Sequence, residues 1–153
     1  MHPTRLGLTA AALLALTLSA ASPATAAPRN GATTTLRASS YDACLDSDRA
    51  GNAYINTCNG KNAHHRWQWT TLKNGFQIRN EATQRCLVDD GSRIATRTCD
   101  AASIHQLWFA NAGQFGNFRL LNNGTSRYLA YDNKVGLTGS AEHGTFSWYT
   151  NAP

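Results

Sequence analysis

The sequence predicts an all-β domain, a β-trefoil of three repeats of about 40 residues with twelve short strands and two disulfides inside repeats. Three observations point there. Landmarks recur at one period: Cys44, Cys86 and Tyr128 are 42 residues apart, as are Leu36, Ile78 and Leu120, while Trp67, Trp108 and Trp148 follow at 41 and 40. The intervals hold short β-like runs between turn formers, without sustained helical periodicity. Finally, there are only three units. A unit of ~40 residues with four strands suits a propeller blade or a trefoil leaf, but propellers typically need about four blades. Three units closing on one axis leave no exposed edge strand.

Residues 1–26 read as a secretory signal peptide. His2 and Arg5 precede an Ala/Leu/Thr-rich run reaching Ala20, and Ala24-Thr25-Ala26 offers the small-residue cleavage pattern. The apolar run, about 13 to 15 residues, is shorter than the ~20 that span a bilayer. A secreted, extracellular protein without membrane insertion is expected. Residues 27–33, polar with Pro28 and Gly31, form a flexible leader. Residues 34–153 form a single domain whose repeats cover about 34–73, 74–115 and 116–153.

Strands are expected at 34–37, 44–46, 54–57 and 67–72, at 76–79, 86–88, 94–97 and 107–109, and at 118–121, 128–131, 135–138 and 147–149. Asn74-Gly75, Asp90-Gly91 and Asn123-Gly124 supply turns between them. Four cysteines in an exported chain indicate two disulfides. The repeat selects Cys44–Cys58 and Cys86–Cys99, which are equivalent pairs, and the third unit has Tyr128 and Gly139 in those places. Each bridge closes roughly 15 residues and contributes about 3 kcal/mol in the chain-entropy picture. The spacing does not match the close Cys pairs of zinc sites, so neither metal nor cofactor is expected.

The charge excludes little and suggests little. Fourteen Lys and Arg against nine Asp and Glu give +5, one less once Arg5 is removed, with the arginines spread over all three repeats. A nucleic-acid partner would call for clustered basic residues. Leu45, Leu87, Leu129 and the three periodic tryptophans are core candidates. Trp69 has no equivalents, since Ala110 and Thr150 stand in its place, and packing or a surface role both fit it.

Cys44-Leu45-Asp46, Cys86-Leu87-Val88, the paired cysteines and Gln106-Leu107-Trp108 together resemble the ricin B-type lectin domain, a β-trefoil family, over roughly residues 33–150. The resemblance implies a shallow sugar site in each leaf. An Asp two residues after the first Cys accepts hydrogen bonds from sugar hydroxyls, an aromatic before the second Cys stacks on the ring, and amides near the Gln-x-Trp complete the contacts. Such a set suits a pyranose, which has C–H faces and hydroxyl edges.

Carried over, the first unit supplies Asp46, Tyr54 and Asn56, with His64 and His65 where the amide pair is expected. In the second, Val88 occupies the Asp position, so Asp89 or Asp90 substitutes, Arg97 replaces the aromatic, and His105 and Gln106 keep the polar end. Gln106 fits backbone bracing as well as sugar contact. In the third, Ala130 has no carboxylate, which leaves Tyr131, Asp132 and His143 without a pattern. The segment between the cysteines is shorter than in plant lectins of the family, which implies a shallower pocket. His64 and His65, adjacent on a strand, would point to opposite faces and chelate poorly. No Gly-x-Ser-x-Gly, His-Glu-x-x-His or phosphate loop occurs, so catalysis is not expected. The expected function is therefore binding of a glycan or polysaccharide. The alternative is a trefoil that binds a protein partner in a larger assembly, such as a toxin complex or an inhibitor.

Overall fold

In the computed structural model, residues 27–39, 41–112, 117–132, 136–140 and 147–151 are described. The expected signal peptide at 1–26 and His143 lie outside them. Twelve strands are present among the described residues: β1 Thr33–Ala38, β2 Ala43–Ser47, β3 Ala53–Thr57, β4 Arg66–Leu72, β5 Gly75–Asn80, β6 Cys86–Asp89, β7 Ile94–Arg97, β8 Trp108–Ala112, β9 Phe118–Asn122, β10 Tyr128–Asp132, β11 Gly136–Ser140 and β12 Trp148–Asn151. Short 3-10 turns at Ala63–His65 and Ile104–Gln106 lead into β4 and towards β8. No helix among the described residues is long and apolar enough to cross a membrane.

Six strands close a ring. β1 pairs with β4, β4 with β5, β5 with β8, β8 with β9, β9 with β12, and β12 with β1, all antiparallel. The other six form hairpins β2–β3, β6–β7 and β10–β11. One threefold register joins hairpin to ring: Arg37 opposite Cys44, Arg79 opposite Cys86 and Leu121 opposite Tyr128. This is the β-trefoil.

The core repeats with the same symmetry. Leu36, Ile78 and Leu120 are fully buried from β1, β5 and β9, and Leu45, Leu87 and Leu129 from the hairpins. Each periodic tryptophan donates its ring N–H to the backbone carbonyl of its own hairpin leucine: Trp67 to Leu45 at 2.9 Å, Trp108 to Leu87 at 3.1 Å and Trp148 to Leu129 at 2.8 Å. A buried indole needs such a partner, so the Gln-x-Trp tryptophan ties hairpin to barrel. Trp69 packs inside as well, edge-on to Phe76 and Phe118, with its N–H on Thr34 Oγ1.

Two details refine the reading of the sequence. Both expected disulfides form, with Cα–Cα distances of 4.9 and 5.0 Å. Spacing alone puts Gly139 in the place of a second cysteine, but the register pairs it with Leu129, as Ile55 pairs with Leu45 and Thr96 with Leu87. The cysteine's counterpart therefore falls beyond Ser140, outside the described residues. Asn30 to Ala32 are hydrogen-bonded to β4: Gly31 N–H donates to Trp69 O, Trp69 N–H to Ala32 O, and Thr71 N–H to Asn30 Oδ1.

Candidate functional site

The hairpin β2–β3 brings three of the expected residues together. Asp46 stands opposite Tyr54 and Cys44 opposite Asn56. Directly opposed residues share a face of the ribbon, so Asp46, Tyr54 and Asn56 lie on one side, next to the Cys44–Cys58 bridge. The connecting turn is tight. Asp48 accepts from the Asn52 backbone and side-chain amides at 2.9 and 2.8 Å, and Gly51 adopts φ +93. The Asn52 amide group holds the Asp48 carboxyl below its usual pKa range.

Asp46 is buried, with one oxygen engaged. Its Oδ2 lies 3.0 Å from His65 Nε2 and 3.5 Å from Asn56 Nδ2, whereas Oδ1 has no partner. The tautomer of His65 follows from its neighbours. Nδ1 lies 3.0 Å from the Asn59 N–H and 3.2 Å from the Asn59 carbonyl; the shorter contact has the N–H donating to Nδ1, which leaves the ring proton on Nε2, facing Asp46. Tyr54 stays 38% exposed over this buried acid. Its phenol is held above its usual pKa by partial burial first, then by the charges of Asp46 and Asp48 and by its own approach to the Asp46 carboxylate. The set combines a fixed carboxylate, an amide and an open aromatic ring.

His65 replaces a glutamine. In the second repeat Gln106 Oε1 accepts from the Asp100 N–H at 2.9 Å, as His65 Nδ1 does from Asn59, and its Nε2 donates to Thr98 O at 2.8 Å. Gln106 also accepts from Gln77 Nε2 at 3.1 Å and is buried. Its Oε1 takes two hydrogen bonds and its Nε2 gives one, so the amide braces the loop against β5. His64 and His105 share another role. The carbonyls of Ser47 and Asp89 can only accept, so the Nδ1–H groups of His64 and His105 donate to them, at 2.6 and 3.0 Å. Each histidine thereby pins its 3-10 turn to its hairpin.

The second hairpin does not reproduce the first. Val88 and Ala95 occupy the positions of Asp46 and Tyr54, and both are buried. Asp89, one residue further along, is fully buried and held by Arg127 of the third repeat. Arg127 pairs with both carboxylate oxygens, Thr125 Oγ1 donates at 2.7 Å and the Gly91 N–H at 3.0 Å. A Cβ on Gly139 would stand 2.7 Å from both Asp89 Oδ2 and Arg127 Nε, so only glycine leaves room for this pair. Asp90 is exposed in the turn. Ser92 and the Arg93 N–H hold its carboxyl down to about 2, and Arg97 pairs with it at 3.2 Å. In the third hairpin Ala130 faces Thr138, and Ala130 is buried. Among the described residues, no group of three or more His, Cys, Asp or Glu side chains is placed to hold a metal.

Asn80 and Asn122 escape a reading of the sequence by family motif. Their Nδ2 groups donate to the carbonyls of His64 and His105 at 2.6 and 2.8 Å, and their Oδ1 atoms accept from the turn that follows. The signal was available, because Asn80-x-x-Thr83 and Asn122-x-x-Thr125 recur at 42 residues. The next residues, Gln84 and Ser126, share a left-handed backbone at φ 58 and 56.

Comparison with known proteins agrees with this geometry. Residues 32–127 match the family described as the ricin-type beta-trefoil lectin domain. Comparison with curated proteins by sequence finds no match. Among solved structures, SeviL bound to asialo-GM1 saccharide superposes with a TM-score of 0.68 at 15% identity, covering 80% of this chain and 98% of that one. The BEL beta-trefoil in an apo crystal form gives 0.73 at 12% identity, covering 81% and 94%. The cytolethal distending toxin of Haemophilus ducreyi gives 0.65 at 16% identity, covering 79% and 83%.

Proposed function

The chain belongs to the ricin-type beta-trefoil lectin domain family, and from that premise we propose that it is an exported carbohydrate-binding module that recognises glycans through the outer face of the hairpin β2–β3. The observation that carries this reading is the buried, unpartnered Oδ1 of Asp46 on the face that exposes Tyr54. The ring's C–H face would lie on exposed Tyr54 and Asn56 would complete the edge, and a swing of the Tyr54 ring would let a sugar hydroxyl reach the enclosed Oδ1. His65, donating to Oδ2, keeps the carboxylate in place before ligand arrives. His64, His105, Gln106 and Asp89 act here by holding the scaffold. Asp90, exposed beside Arg97, is the one residue of the second repeat left to contribute. Two disulfides and the expected signal peptide support an extracellular setting.

A single shallow site binds a monosaccharide weakly and gains from multivalency. The test is a glycan-array screen of oxidised protein followed by titration calorimetry. Because Asp46 is buried against His65, Tyr54→Ala is the cleaner probe of recognition, with Asp46→Asn as its companion. Loss of binding in both variants with the fold retained supports the reading, and undiminished binding in both overturns it. A second reading, a trefoil that docks a protein partner, rests on Val88 and Ala130 replacing the acid in two of three leaves. Silence towards glycans from folded protein would favour it.

A further inference from the structure

The three repeats meet at three seams, and equivalent positions fill each one differently. Ser47, Asp89 and Tyr131 are 42 residues apart, as are Tyr41, Thr83 and Thr125. At the first seam Ser47 Oγ meets Thr83 Oγ1 at 3.3 Å, and at the second Thr125 Oγ1 donates to Asp89 at 2.7 Å. At the third, Tyr131 meets Tyr41 edge to face, with centroids 5.2 Å apart. Two seams are thus joined by small polar groups. The third is spread by two rings, and beside it lies a groove of about 340 Å³ lined by Tyr41, Asp42, Ala43, Ile55, Asn56, Thr57 and Tyr131.

We propose that this groove is a second sugar subsite that meets the first hairpin's face at Asn56, so that the preferred ligand is a neutral oligosaccharide rather than a single sugar. The proposal rests on the lectin reading of that hairpin. Its volume falls at the small end of ligand sites, about 300–1,000 Å³. Tyr41 is 38% exposed and offers ring surface to a pyranose. Asn56, Thr57 and Asp42 supply amide, hydroxyl and carboxylate to its edges. Asp42 is held by Arg37, whose guanidinium lies over the Tyr149 ring, so the rim is positioned before a ligand arrives. Asn56 belongs to both sites: it reaches Asp46 on the outer face and lines the groove. The carboxylate on the rim disfavours an anionic ligand, and the polar lining disfavours an apolar helix.

The test is calorimetric titration with galactose and xylose and with their β-1,4-linked tetrasaccharides, on the full oxidised protein. Wild type should bind a tetrasaccharide about tenfold more tightly than its monosaccharide, as an added aromatic contact would give. Tyr41→Ser should abolish that advantage and leave monosaccharide affinity unchanged. Thr57→Phe, which fills the groove from an exposed position, should do the same and guards against a packing defect at Tyr41. If both variants keep the tetrasaccharide advantage, or wild type binds mono- and tetrasaccharide equally, the subsite is overturned while the hairpin reading stands. If Tyr54→Ala retains tetrasaccharide binding that Tyr41→Ser loses, the hairpin reading fails and the groove is the binding site.

Discussion

The first and second hairpins share a fold, a disulfide and a tryptophan anchor, yet they place an acid differently. In the first, Asp46 sits two residues after the cysteine and shares its face with exposed Tyr54. In the second, Asp89 sits three residues after it. Successive strand residues point to opposite faces, so this single step carries the carboxylate to the other side of the ribbon, where Arg127 and Thr125 enclose it. One acid keeps an oxygen without a hydrogen-bond partner, and the other has both oxygens engaged, by Arg127 and Thr125 of the third repeat and by Gly91 of its own turn. A motif read only for residue type cannot tell them apart. A motif read with strand parity can.

The sharpest way to test this difference is Arg127→Met. It strands the buried Asp89 carboxylate and should cost about 3–5 kcal/mol in denaturant unfolding. Arg85→Met, at the equivalent position but with one side-chain bond among the described residues, to Thr96 O, should cost about 1 kcal/mol. Equal losses would erase the contrast between the repeats. Replacing either cysteine pair by serine should cost about 3 kcal/mol. The two losses should be equal, because the sequence separations are 14 and 13, and thermal melts of the two double variants measure whether the hairpins are matched in this respect.

His65→Gln imports the second repeat's residue into the first. The glutamine Oε1 should still accept from Asn59 and its Nε2 should donate to Asp46, so stability should change by less than about 1.5 kcal/mol and glycan binding should persist. Two-dimensional NMR of the His65 ring in the parent protein should show the proton on Nε2. A proton on Nδ1 would remove the proposed support of Asp46. The smallest effect concerns Asp90. Its carboxyl is held at about 2, below the ordinary 3.8, so its contribution to stability is present above pH 3.8 and is lost as the pH falls towards 2. Asp90→Asn should flatten that part of the acid-unfolding profile and lower neutral-pH stability by the same small amount.

Much of the candidate site was legible because its residues are close in sequence. Asp46, Tyr54 and Asn56 belong to one hairpin whose register follows from alternation and from the cysteine positions. The roles of His64, His105 and Gln106 were not legible. An imidazole or an amide carries no sign of whether it faces a ligand or a backbone carbonyl, and that depends on what the 3-10 turn packs against. Gly139 was misplaced for a related reason. Spacing counts residues but not bridge partners, and the third hairpin has no cysteine to mark its register.

The sequence by itself determined the threefold architecture, the disulfide pairing and the burial of the repeated tryptophans. These follow from periodicity, which is a property of order along the chain. Only the tertiary structure decided which acid keeps an unpartnered oxygen, which histidines brace the turns, and how each seam is filled. Asp89 meets Arg127, and Tyr41 meets Tyr131, only because six strands close into a ring and bring the third repeat against the first and the second. Contacts between residues so far apart in the chain are set by that closure, and local pattern does not encode them.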